Sequence, residues 1–517
     1  MKKILFFTFV FAFTCGKAQV LTSSQLDSLT ELTLKTFDVP GMAVAVVKDG
    51  KVIHAKGYGV RSLINKLPVD ENTLFGIASN TKAFTAAALG ILVDEGKIKW
   101  DDKVIEYIPE FRMYSPYVTD AFTIRDLLTH RSGLGLGAGD LMFFPDGNNF
   151  TKKELITNIR YLKQVSDFRT QYDYDNNMYI VAGEVLARVS GITWEDFIEK
   201  RIMQPIGFTT SKASWARVKN NTNIIDAHVP VNGKAVAVQH DWSENANAAG
   251  GILSNLTDLG KWLILQMNNG KYGDSLSKTL FSEAVHDEMW TPQTLIKVGG
   301  PGSYNTHFAS YGLGWFLSDV GGYKQCTHTG GLLGTVTQIT IIPEIKLGII
   351  VLTNQQSGAS FTTITNSIKD GYLGIKGKNR VKQYHDNVVQ AETEAANITS
   401  AIWKAIDSTQ KANKIKPNIS LFSGKYADNW FGKVELTERN GSLWFSSQKS
   451  PRLTGEMFPY KGSTWIVKWN DRSFDADAYV VFTLDTEGKA SGFTMKAISP
   501  LTDFSFDFHD LDLKRIK

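Results

Sequence analysis

Ser79 and Lys82 are the two residues whose types and spacing most directly indicate catalysis. They stand three positions apart at the start of a predicted helix, residues 79–95, which is rich in Ala and Leu. Residues i and i+3 share one face of a helix, so the Lys82 amine can reach the Ser79 hydroxyl. A neutral Lys82 would accept the serine proton, and a charged one would stabilise the alkoxide. The Ser-x-x-Lys spacing recurs without an apolar helix of this kind at Ser275, Ser408 and Ser446.

A second pair of candidate groups comes from Tyr174-Asp175-Asn176, which contains the one Tyr-x-Asn sequence in the chain. A phenol held near an ammonium has its pKa lowered and can then serve as a general base. The Asn176 amide would orient both Lys82 and an amide substrate. The alternative interpretation is structural: a Tyr- and Asp-rich loop, residues 172–177, that caps the next helix.

The third candidate is His328-Thr329-Gly330-Gly331, just before a strand predicted from Val336. Glycines here would let a substrate approach the strand backbone closely. The backbone amide of Gly331 would join that of Ser79 as an oxyanion hole. A lone histidine before a strand is more often a structural residue, and the sequence leaves this alternative open.

In this order, the three motifs strongly resemble those of the serine β-lactamases and penicillin-binding proteins. The branch that looks nearest contains the class C β-lactamases and the D-aminopeptidases. The resemblance to this family extends to three other segments, residues 127–134, 249–254 and 348–354. In total it covers about residues 24–375. The last hundred residues more loosely resemble the lipocalin-like domain of some peptidases in this branch.

The resemblance implies an acyl-enzyme on Ser79, with Lys82 and Tyr174 moving the proton and no metal or cofactor. The residues that it implies for substrate binding are Asn176, His328, Thr329, Gly330 and Gly331. His328 stands where true β-lactamases carry a lysine that holds the substrate carboxylate, and histidine is mostly neutral at pH 7. Asp175 stands where serine is common and would repel acidic substrates. Both departures favour a peptidase or amidase of the D-aminopeptidase or penicillin-binding type. A carboxylesterase or β-lactamase on the same site is the alternative.

The elements that must position these residues predict an α/β body. A hairpin is predicted near the start of the body, at residues 42–58, and another near its end, at residues 336–352. Helices are predicted between the two hairpins. The fold class expected is a β-lactamase-like transpeptidase fold: an antiparallel sheet flanked by helices, plus a helical subdomain. The predicted units are a signal peptide (1–18), a serine hydrolase domain (19–375), a helical linker (376–416) and a small all-β, lipocalin-like barrel (417–517).

The start of the chain predicts export. Lys2 and Lys3 precede an apolar run of about ten residues, too short to span a bilayer, and Gly16-Lys17-Ala18 offers a cleavage site. We therefore expect a secreted or periplasmic protein without a membrane span in the mature chain. Three of the four net positive charges fall in this leader, so nothing indicates nucleic-acid binding. The expected partner is a small peptide, amide or ester, and the sequence leaves an oligomer open.

Other classes fit less well. An α/β-hydrolase needs Gly-x-Ser-x-Gly and a zinc hydrolase needs His-Glu-x-x-His, and the sequence contains neither. Cys326 lies close to His328, but a small buried strand residue is the simpler interpretation. The main non-catalytic alternative is a penicillin sensor or another binding protein on the same scaffold.

Overall fold

The strands form one large antiparallel sheet, one closed barrel and three small ribbons. The computed structural model describes residues 20–219, 222–240, 242–412 and 418–517, so the predicted signal peptide lies outside it. Before the barrel the strands are β1 (Gly41–Lys48), β2 (Lys51–Gly59), β3 (Phe75–Gly76), β4 (Ala227–Val231), β5 (Lys234–Val238), β6 (Leu253–Ser254), β7 (Lys271–Tyr272), β8 (Lys278–Thr279), β9 (Thr294–Ile296), β10 (Ala309–Tyr311), β11 (Phe316–Val320), β12 (Tyr323–Leu332), β13 (Thr335–Ile342) and β14 (Leu347–Thr353).

The large sheet has the order β2-β1-β14-β13-β12-β11-β10-β9, with every neighbouring pair antiparallel. It brings the first and last hairpins of the body side by side, because β1 pairs with β14. The α-helices are α1 (Ser23–Thr36), α2 (Thr81–Asp94), α3 (Val104–Tyr107), α4 (Pro116–Ala121), α5 (Ile124–Leu127), α6 (Lys152–Thr157), α7 (Asn176–Ser190), α8 (Trp194–Phe197), α9 (Asn247–Gly250), α10 (Leu256–Met267), α11 (Glu283–Met289), α12 (Gly358–Leu373) and α13 (Arg380–Ala412).

Strand β1 is apolar on both faces because the sheet is covered on both. Met42, Val44 and Val46 join a core that includes residues of α1 and α12, whereas the alternate side chains Ala43 and Ala45 join the core around α2. Successive residues of a strand point to opposite faces, so a continuous apolar run is what a doubly covered strand requires. This arrangement confirms the predicted antiparallel sheet flanked by helices.

The C-terminal strands close into a barrel, which confirms the predicted all-β unit. Tyr426, Phe445 and Phe493 are among the aromatic residues buried inside it, as expected where alternate side chains point inward. Its strands follow one another around the barrel, and the last pairs with the first: β15 (Gly424–Asp428), β16 (Gly432–Arg439), β17 (Ser442–Ser447), β18 (Thr454–Lys461), β19 (Thr464–Trp469), β20 (Ala478–Leu484), β21 (Ala490–Ala497) and β22 (Asp512–Ile516).

The body (residues 20–375) and the barrel (residues 418–517) are in direct contact. Helix α13 lies within the predicted linker, of which residues 413–416 fall outside the described chain. Its Ile406 belongs to the same buried apolar cluster as Ile466 of the barrel. The Phe144 ring of the body meets the Phe506 ring of the barrel, with centroids 5.0 Å apart. One buried apolar cluster includes residues of both units. Because the two units share this core, we expect them to unfold together.

Candidate active site

Ser79 lies in a tight turn that leads directly into α2. The turn is a single 3-10 turn, Ala78–Asn80, and Ala78 has a positive φ of 49°, a conformation that non-glycine residues rarely adopt. Strand β12 packs tightly against this turn: a Cβ added to Gly330 would lie 2.2 Å from the carbonyl oxygen of Ile77. Gly330 is therefore needed for the approach of the strand to the serine turn, and it does not line the cleft described below.

Lys82 is fully buried behind Ser79. Its Nζ donates to Ser79 Oγ at 3.0 Å, to Asn176 Oδ1 at 2.7 Å and to the Ala249 carbonyl oxygen at 2.9 Å. Burial lowers the pKa of Lys82 to about 7, although the carboxyl groups of Asp140 and Asp175 oppose the shift. At neutral pH a large fraction of the amine is thus free to accept a proton from Ser79.

Tyr174 lies beside the serine, but its phenol is not acidic. The Lys82 Nζ lies over the Tyr174 ring, 4.8 Å from its centre. Burial raises the pKa of Tyr174 well above its usual range, and the contact of its hydroxyl with Ser79 only partly opposes that rise. The lowered tyrosine pKa that we expected is therefore not found, because desolvation outweighs the nearby amine.

Asn176 begins α7 and is held from two sides. Its Oδ1 accepts from Lys82, and its Nδ2 donates to Asp140 Oδ2 at 2.8 Å. Asp140 is fully buried, and burial raises its pKa well above the usual range. The predicted orienting of Lys82 thus has a geometric basis, and Asp140 is a partner that the motif did not indicate.

The His328 ring is engaged inside the protein. A carbonyl only accepts, so Nδ1, 2.6 Å from the Thr329 oxygen, must donate to it, and Nε2 then accepts from Tyr311 Oη at 2.8 Å. Burial lowers the pKa of His328 to about 3, and Lys82 adds to that shift. His328 lines the cleft as a neutral group, as do the exposed residues Thr329 and Gly331, but it has no free donor for a substrate.

Asp175 and Cys326, which neighbour the candidate residues in the sequence, are both buried. Asp175 is fully buried and accepts from Ser132 Oγ at 3.2 Å, so it does not face a substrate, and we no longer expect it to repel one directly. Cys326 is a buried residue of β12, and burial raises the pKa of its thiol, which disfavours it as a nucleophile.

A cleft of about 650 Å³ opens over Ser79. Body, helix α13 and barrel each contribute to its wall, the barrel through residues 473–475, 501 and 503–506. Among the described residues that line it, many are aromatic or aliphatic and none is Lys or Arg. The acidic ones are Glu392, Asp475 and Asp503.

The sequence motifs did not indicate Asp140 or the barrel residues at the cleft. Asp140 follows a glycine-rich stretch that contains none of the three motifs, and Ser505 lies 365 residues further along the chain. A contact between residues so far apart in the sequence cannot be predicted from their residue types alone.

The sequence model described as "Beta-lactamase" matches residues 26–370, and a second, described as a domain of unknown function (DUF3471), matches residues 411–515. The chain belongs to the β-lactamase family. It is a β-lactamase-family hydrolase, as the resemblance of the three motifs predicted. No helix in the described part of the chain is long and apolar enough to cross a membrane, and the same residues contain no cluster of three or more side chains suited to hold a metal.

Two curated relatives and two solved structures are similar to this chain. Unguisins hydrolase ungD of Aspergillus violaceofuscus is 28% identical over 428 residues, 78% of this chain and 74% of that protein. Protein flp of Staphylococcus aureus is 24% identical over 341 residues, 65% of this chain and 64% of that protein.

Among solved structures, the octameric penicillin-binding protein homologue from Pyrococcus abyssi has a TM-score of 0.59 at 24% identity, covering 93% of this chain and 99% of that one. A class C β-lactamase has a TM-score of 0.55 at 22% identity, covering 68% of this chain and 96% of that one. Both likenesses concern the fold.

Proposed function

We propose that the protein is an exported serine hydrolase that acts through an acyl-enzyme on Ser79. The observation that carries the proposal is the 3.0 Å contact between Lys82 Nζ and Ser79 Oγ, made by an amine whose pKa burial lowers to about 7. An amine in this state at hydrogen-bond distance from a hydroxyl is the arrangement that a general base requires. Lys82 is accordingly the base, and Tyr174 is not.

In the proposed acylation, Ser79 Oγ attacks the substrate carbonyl carbon and gives its proton to Lys82. The oxyanion lies against the backbone amides of Ser79 and Gly331. As the tetrahedral intermediate collapses, the carbonyl–nitrogen bond breaks, and Tyr174 passes a proton to the leaving amine and is reprotonated by Lys82. A water molecule then attacks the ester, again with Lys82 as base, and releases the acid and free Ser79.

The cleft favours a peptide or amide substrate that carries apolar side chains and lacks a carboxylate near the scissile bond. Its aromatic lining suits apolar groups, and the exposed carboxylates of Glu392 and Asp475 disfavour acidic ones. His328 has no free donor for a substrate carboxylate, which argues against β-lactam hydrolysis. The relative that is 28% identical is named a hydrolase of unguisins, which supports a hydrolytic role. An ester would pass through the same acyl-enzyme and is the second candidate.

A labelling and turnover experiment tests the proposal. We expect a fluorophosphonate probe to modify wild-type protein once, at Ser79, and Ser79→Ala to abolish both labelling and hydrolysis of an aminoacyl anilide panel. Ser275→Ala, at another Ser-x-x-Lys sequence, is the matched control and should keep both. Labelling at any other serine would refute the assignment of the nucleophile. Labelling without turnover of any anilide or ester would favour the sensor alternative.

The proposed export rests on residues 1–18 and has its own test. We expect the protein purified from the medium or periplasm of its host to begin near Gln19, as read by N-terminal sequencing. A full-length chain that stays in the cytoplasm would contradict this part of the proposal.

A further inference from the structure

A chain of hydrogen bonds runs from the barrel to the proposed nucleophile. Ser505 Oγ donates to Asp140 Oδ2 at 2.9 Å, and the same oxygen accepts from Asn176 Nδ2 at 2.8 Å. Asn176 Oδ1 in turn accepts from Lys82 Nζ, which donates to Ser79 Oγ. A hydroxyl of the C-terminal unit is therefore three side chains away from the serine of the N-terminal unit.

The backbones of the two segments that carry Asp140 and Ser505 also contact each other. Asp507, two residues after Ser505, accepts from the backbone amides of Gly139 at 2.6 Å and Leu141 at 3.2 Å, the two neighbours of Asp140. Gly137 has φ of +71°, and a Cβ there would lie 2.7 Å from the carbonyl oxygen of Phe504. The glycine turn (residues 137–141) is thus shaped to receive the barrel segment (residues 503–507).

Ser505 supplies one of the two hydrogen bonds that the buried Asp140 carboxyl accepts. The other carboxyl oxygen of Asp140, Oδ1, has no hydrogen-bond partner among the described residues. Burial raises the pKa of Asp140, and the hydrogen bonds from Ser505 and Asn176 oppose that rise and so favour the ionised carboxylate. The ionised form of Asp140 in turn favours the protonated form of Lys82. The other charged or titratable groups that act on Lys82 or Asp140 are Asp175, Asp507, His130, His328, Tyr174 and Tyr179.

We propose that the barrel takes part in catalysis, with Ser505 and Asp140 as positioning residues that hold Asn176 and Lys82 in reach of Ser79. This inference rests on the proposed roles of Ser79 and Lys82. In this proposal the barrel helps to position the catalytic amine, in addition to packing against the body. Ser505 also lines the cleft. In this scheme both residues act on the reacting atoms only through Asn176.

The test measures the rate of fluorophosphonate labelling of Ser79 between pH 5 and 9 in full-length wild type, Ser505→Ala, Asp140→Asn and Ser491→Ala. Ser491 is the matched control, an exposed barrel serine whose hydroxyl donates to the Thr483 carbonyl. We expect Ser505→Ala to label about tenfold more slowly, the loss typical of a hydrogen bond to a charged group. We also expect the midpoint of its pH profile to fall, since weaker support of the Asp140 charge favours neutral Lys82.

Asp140→Asn keeps an acceptor for Asn176 and removes the charge, so its midpoint should fall further. A purely structural role of the barrel would slow all labelling in proportion to lost folded protein and leave the midpoint in place. Ser505→Ala with the rate and midpoint of Ser491→Ala would overturn the inference, even if Asp140→Asn does not fold. Wild type that does not label at Ser79 would instead overturn the proposed function and, with it, the basis of this inference.

Discussion

The Phe504 ring of the barrel meets the Tyr174 ring of the body edge to face, with centroids 5.8 Å apart and ring planes at 79°. Edge-to-face pairs of this kind are favourable and place one ring firmly against the other. A substrate must therefore pass between surfaces contributed by two parts of the chain before it reaches Ser79.

Removal of either proton-transfer group should slow acylation while leaving the fold intact. We expect Lys82→Ala and Tyr174→Phe each to lower the acylation rate by about 10²–10⁴-fold, the usual contribution of a general acid or base. Stopped-flow measurement of anilide cleavage separates this step from later ones. Tyr172→Phe is the control, since it changes a neighbouring cleft tyrosine and should act nearly normally. Near-normal turnover by Tyr174→Phe would mean that Lys82 serves the leaving group without it.

The pH profile of kcat/KM should show one acid limb set by Lys82. The protonated amine cannot accept the Ser79 proton, so the rate should rise with pH through the Lys82 pKa of about 7 and then level off. Tyr174, whose pKa burial raises, stays protonated across this range and adds no alkaline limb below pH 9. Burial also raises the pKa of Asp175 to about 7, so Asp175→Asn is needed to separate the two. Loss of the limb in that variant would assign it to Asp175.

Body and barrel should unfold together. Phe506 is 5% exposed and packs against Phe144, so Phe506→Ala should lower the free energy of unfolding by about 3–5 kcal/mol, as large aromatic deletions in a core do. Phe504→Ala is the control, because that ring is 39% exposed and its loss should cost about 1 kcal/mol. Urea titration followed by tryptophan fluorescence and by circular dichroism should give coincident single transitions. Two separate transitions would show that each unit folds on its own core.

Cephalosporins should be poor substrates. With His328 neutral and both its ring nitrogens engaged, we expect kcat/KM for a chromogenic cephalosporin to stay below about 10⁴ M⁻¹s⁻¹, the low end for typical enzymes. His328→Lys should raise the ratio of cephalosporin to anilide turnover about tenfold or more, because an ammonium adds a charge-assisted hydrogen bond to the carboxylate. The neutral variant His328→Gln is the control. A wild-type enzyme that is efficient on cephalosporins would refute the electrostatic argument.

Much of the fold follows from local pattern. The hairpin predicted over residues 42–58 corresponds to β1 and β2, and the one predicted over residues 336–352 corresponds to β13 and β14. The helix predicted over residues 79–95 begins as a 3-10 turn, because Ala78 has a positive φ there. Alternation and turn residues also indicated the barrel, since side chains of a closed sheet point alternately inward and outward.

What the sequence could not predict depends on distant contacts and on burial. The i to i+3 spacing predicts that Lys82 meets Ser79, but the pKa of each group depends on how much protein surrounds it. The tyrosine pKa was therefore predicted with the wrong sign. The direction of the Asp175 side chain and the partners of the His328 ring are set by packing that no motif encodes.

The glycine at position 137 also bears on how such proteins can recombine. Its missing side chain makes room for the Phe504 backbone, so the two halves of this contact have to match. A chimaera that joins this body to the C-terminal unit of a relative should function only if the turn at 137–141 is exchanged along with it. A library that shuffles the two domains at residue 375 would separate the Gly137 turn from the Phe504 backbone that it contacts.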